Sequence, residues 1–78
     1  MATIEQVRGT MHAAPFRPFR VFLVDGRSYM VRHPDFIAVA ASGRHRDLTI
    51  HDDDGPHYLD LGLVVEIHPE AAPAQTGA

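Results

Sequence analysis

Cysteine is absent from the chain, so no disulfide and no thiolate metal site can hold it together. That absence is compatible with a reducing cytoplasm, the compartment expected here. Lysine is absent too, and the seven basic residues are all arginine. Against ten acidic residues they leave a formal net charge of −3. Proteins with a general affinity for nucleic acid usually carry a basic excess, so the balance argues against that class. Six histidines qualify the argument, because protonating all of them would raise the charge from −3 to +3. Long apolar runs are missing as well. Nothing approaches the roughly 20 residues of a membrane helix, and Glu5, Arg8, His12, Arg17 and Arg20 interrupt the region where a signal peptide would lie.

What remains is 78 residues, enough for one domain. A chain near this length hides only about 60% of the surface it exposes when unfolded. Its core alone is worth about 3–5 kcal/mol, and small folds commonly gain the rest from crosslinks, metals or self-association. With crosslinks excluded, self-association or a His/carboxylate metal site stays open.

Along the chain, Thr3 and Gln6 fit a capping box. Ile4, Val7, Met11 and Ala14 recur at helical spacing and predict a helix over 4–13, stopped by Pro15. Pro15-Phe16-Arg17-Pro18-Phe19-Arg20 predicts an extended lead into the first strand, with Phe16 and Phe19 over the core. Arg20–Val24 and Arg27–Arg32 read as strands joined at Asp25-Gly26, a pair suited to a type I′ hairpin turn. Both carry apolar residues on both faces, as a covered or closed sheet requires. His33-Pro34-Asp35 breaks the pattern. Strand character returns over 36–40, 48–51, 57–61 and 64–68, with a polar tip at Asp52-Asp53-Asp54-Gly55 and a short break near Gly62. From Pro69 onward no large apolar residue is available to bury. Residues 1–68 are therefore expected to form the domain, and 69–78 a disordered tail.

A helix followed by short strands and tight turns resembles the Sm-like barrel, and the detailed echoes lie with the bacterial RNA chaperone family Hfq. Val21-Phe22-Leu23-Val24-Asp25-Gly26 resembles that family's first strand and turn, Phe36 matches a Phe of its second strand, and Leu61-Gly62-Leu63-Val64-Val65 resembles its last turn and strand. The resemblance implies a mostly β fold, a small Sm-like five-stranded barrel with an N-terminal α-helix, assembling into rings. Departures touch function. The family's Tyr-Lys-His run, which helps bind uridine-rich RNA, is replaced here by Tyr58-Leu59-Asp60. Ile37 stands where an Asp is expected, and Val31 where a Gly lets the second strand bend. The chain also resembles small bacterial proteins sharing a Pro-Phe-x-Pro-Phe, Asp-Gly-Arg and His-Pro-Asp-Phe pattern, a likeness that implies no activity.

Candidate sites are few. Arg17, Arg20 and Tyr58 are the residues expected to contact single-stranded RNA, because guanidinium grips phosphate bidentately and aromatic rings stack on bases. Arginine also serves subunit ion pairs, and ten acids compete for it. His51 and His57 flank Asp52, Asp53 and Asp54, a donor set suited to zinc or nickel but also to a plain polar hairpin tip. The contiguous triplet does not match the alternating acids of a calcium loop. His33-Pro34-Asp35 could orient an imidazole, yet a turn with Asp35 bonding nearby amides accounts for it. Phe16, Phe19, Phe22 and Phe36 are expected in core and helix packing. The resulting expectation is a non-enzymatic, self-associating Sm-like binding or scaffold module, with no catalytic residue, no cofactor and no membrane association. Hfq-like RNA binding and His/Asp metal binding are the alternatives.

Overall fold

The Thr3 hydroxyl accepts the Gln6 amide proton at 3.2 Å while the Gln6 side chain accepts from Thr3 N–H at 2.8 Å, so the capping box forms as its sequence demands. It opens α1 (Ile4–Met11), within a computed structural model that describes residues 3–42 and 44–70. The helix stops two residues short of the expected end, and Ala14 is exposed outside it. Val7 is fully buried, with Ile4 and Met11 packed beside it against the core.

Among the described residues six strands follow: β1 (Phe19–Leu23), β2 (Ser28–Val31), β3 (Ile37–Ser42), β4 (His45–Asp52), β5 (Gly55–Asp60) and β6 (Val64–Pro69). They form two three-stranded antiparallel sheets, ordered β2-β1-β6 and β3-β4-β5. The chain is mostly β with one N-terminal helix, as expected, but the five-stranded closed barrel is not what forms. Two 3-10 turns, Pro34–Phe36 and Leu61–Leu63, mark the places where the chain changes sheet. Pro34 has no N–H to give to a ladder, so β2 and β3 are separate strands rather than one bent strand.

The first hairpin also differs from the expected two-residue turn. Gly26 N–H donates to Leu23 O at 3.0 Å and Leu23 N–H to Arg27 O at 2.8 Å, which leaves Val24, Asp25 and Gly26 as a three-residue loop. Gly26, at φ +94°, takes the left-handed position that closes such a loop. Asp25 braces it, accepting the Arg27 amide at 3.0 Å and the Arg27 Nε at 2.7 Å.

The core lies between the two sheets. Phe19, Val21, Leu23, Val31 and Val64 come from the first, Ile37, Leu48, Ile50 and Leu59 from the second, and Val7 from α1, which rests against β3 and β6. Strict alternation in β1, with Arg20 and Phe22 turned the other way, delivers three of these side chains from five residues. Phe16 packs edge-on against Phe19 with ring centroids 6.0 Å apart. Phe22 and Phe36 depart from the expected core set: Phe22 is half-buried on the other face of β1, and Phe36 is 45% exposed with its ring 5.6 Å from that of His33. β6 extends to Pro69, opposite Phe19, and Glu70 N–H donates to Pro18 O at 2.8 Å. Residues 71–78 of the expected tail lie outside the described residues. Among the described residues no helix is long and apolar enough to cross a membrane.

Candidate functional site

Arg17, Arg20 and Tyr58 do not converge. Arg20 sits opposite Met30 in the β1–β2 ladder, and its Nη1 donates to Ser28 Oγ at 3.2 Å. Arg17 is exposed just ahead of β1. Tyr58 pairs with Thr49 on β4 and turns away from the core side that Leu59 occupies, leaving it 78% exposed. The shallow depression beside it is lined by Asp47 and Asp60 and by no basic residue. Nothing there neutralises a phosphate.

A second cleft, of about 480 Å³, opens between β2 and the tip of the β4–β5 hairpin. Arg20, Arg32, Tyr29 and Phe36 line it together with His51, Asp52, Asp53 and Asp54. Two arginines and three aspartates thus share the lining of one opening.

At that hairpin tip the register pairs Asp52 with Gly55 and Ile50 with His57. Asp52 and His57 are therefore diagonal neighbours on one face, close enough for their side chains to meet. His57 Nε2 lies 2.9 Å from Asp52 Oδ1, and the same oxygen accepts the Asp54 amide proton at 2.9 Å. These two hydrogen bonds, His57's first, hold the Asp52 carboxyl below the 3.8 of a free aspartate. The His57 ring packs on Tyr29, centroids 4.4 Å apart and tilted by 36°. One ligand atom each from Asp52, Asp54 and His57 lies within 4.8 Å of the other two. Of the five residues that the sequence suggests for this tip, His51 and Asp53 are not part of the group. Tyr29 supplies the support behind His57. Its register opposite Val21, on the inward side of β2, is the signal that places it there.

His33 and Asp35 resolve into a turn. The His33 Nδ1 accepts the Asp35 amide proton at 3.2 Å and caps the 3-10 segment, while the Asp35 carboxylate stands 3.6 Å from the same nitrogen. Imidazole, rather than the carboxylate, takes the amide. Asp60 plays the expected aspartate part at the second turn, accepting from Gly62 N–H at 2.7 Å.

Exposed apolar side chains gather at the sheet margins. Val24 N–H donates to Leu63 O at 2.9 Å, so Val24 and Leu63 adjoin, with Val65 next on β6. All three are exposed, as is Tyr58 on β5. No protein-family model, curated protein or solved structure matches this chain.

Proposed function

We propose that this chain is a non-enzymatic, cytoplasmic binding or scaffold module of Sm-like architecture that associates with copies of itself through β5 and β6. One observation carries the reading. Among the described residues β5 pairs only with β4 and β6 only with β1, so each presents an open row of backbone donors and acceptors beside an exposed apolar side chain, Tyr58 or Val65. Edges of that kind favour further pairing. A β5 edge of one copy against the β6 edge of the next is a head-to-tail contact, which closes into a ring when the rotation permits. The order of elements supports the Sm-like assignment: a helix, a first strand flanked by the second and the last, and a short turn ahead of the last strand. Light scattering on the eluting protein tests it. A mass that is a multiple of 8.6 kDa is expected, and a clean monomer at micromolar concentration removes the reading.

Single-stranded RNA binding is a second reading, favoured by the cleft in which Arg20 and Arg32 share walls with Tyr29 and Phe36. Guanidinium groups and aromatic rings together suit phosphates and stacked bases. It predicts retention of uridine-rich RNA that falls steeply with added salt. No retention at low salt, at pH 6 and at pH 7.5, ends it.

A further inference from the structure

We propose that Asp52, Asp54 and His57 bind a first-row divalent cation of the zinc class at the tip of the β4–β5 hairpin. The site is independent of self-association. Its donors are of two kinds, two carboxylates and an imidazole, and their ligand atoms already lie within 4.8 Å of one another. Bonds to zinc run about 2.0–2.2 Å for nitrogen and oxygen, so a shift of the exposed Asp54 side chain brings all three donors onto one ion. His57 Nε2 and Asp52 Oδ1, hydrogen-bonded at 2.9 Å, need part by only about 0.4 Å to serve as adjacent ligands of a tetrahedral ion, which would take the place of the proton they share.

Preorganisation sets this trio apart from the other His–Asp pairs. His33–Asp35 and His45–Asp47 are wider, at 3.6 and 3.9 Å, with both side chains of each pair well exposed. His57 instead lies against the Tyr29 ring and keeps only 24% of its side chain exposed. Asp52 is held by the Asp54 amide. Ordering of ligands is a large part of the cost of binding, and folding has already imposed it on two of the three.

Chemistry narrows the ion. Calcium and magnesium prefer all-oxygen shells, whereas imidazole with carboxylates suits zinc and its first-row neighbours. His57 ligates only as neutral imidazole, so protons compete with the metal. Asp53, beside the site in sequence, adds negative charge.

Zinc chloride titrated calorimetrically into the full-length chain, in a buffer that does not chelate, tests the proposal. One zinc per chain is expected at pH 7.5. Asp54→Asn and His57→Gln should each weaken binding by about tenfold or more, and His51→Gln by less than twofold. Asp54 is an exposed turn residue, so D54N tests ligation in a folded chain, checked by far-UV circular dichroism. No zinc binding by the unaltered chain overturns the site. So does equal weakening by H51Q and H57Q, unchanged affinity in D54N, or calcium binding as tightly as zinc.

Discussion

His57 and Asp52, five residues apart in the chain, meet across the β4–β5 ladder with Nε2 and Oδ1 2.9 Å apart. That contact is the main reason why the Asp52 carboxyl titrates below the 3.8 of a free aspartate. Stability linked to such a group is present above the free value and is lost as pH falls through the lower, folded value. Asp52→Asn removes the titration. The variant should therefore melt below the unaltered chain at neutral pH, and the gap should close in the acid range under pH 3.8. Melting temperatures of both proteins across that range decide it, and a constant gap would show that the contact is not linked to pH. Asp25, held down chiefly by the Arg27 amide, keeps its own acid dependence in either protein.

Phe19 is fully buried where the two sheets and Phe16 meet. Phe→Ala in a core costs about 3–5 kcal/mol, which matches the whole contribution of about 3–5 kcal/mol expected from a core this small. Phe19→Ala should be unfolded by circular dichroism. Ile50→Val, at a site equally closed to solvent, costs about 0.5–1.5 kcal/mol and should remain folded with an earlier urea midpoint.

Two glycines should respond oppositely to the same methyl group. A Cβ at Gly9 or at Gly55 meets nothing within 4 Å, so space decides neither case. Gly55 has φ +108°, where an L side chain is strained, and Gly55→Ala should destabilise by about 1–2 kcal/mol. Gly9 lies inside α1, and Gly9→Ala should stabilise by about 0.5–1 kcal/mol. Chemical denaturation of both variants checks the signs.

Charged residues on an open sheet edge oppose pairing with another chain. Val65→Lys and Tyr58→Lys should therefore each lower the mass in light scattering toward 8.6 kDa while the circular dichroism spectrum is unchanged. An unaltered mass in both variants would place any association elsewhere on the surface.

Most elements were legible because their causes are local. The Thr3/Gln6 box, the Ile4–Val7–Met11 stripe, the alternation of Phe19, Val21 and Leu23 and the glycine after Asp25 each need only a few neighbours to act. The hairpin loop is one residue longer than the sequence predicts, since Asp25-Gly26 suits both a two-residue loop and the three-residue loop that forms. The size of Phe36 suits a core position, yet the Pro34–Phe36 turn lifts it out toward His33.

Local pattern therefore determined the helix, the six strand segments and the breaks at Pro34 and Gly62, because steric preference and side-chain alternation act over a few residues. Tertiary structure alone decided that the strands divide between two sheets, that Arg20 and Tyr58 line separate depressions, and that Asp52 and Asp54 take His57, not His51, into their group. Those outcomes depend on register and on which strand lies beside which, and a shift of one residue in pairing turns every side chain to the opposite face.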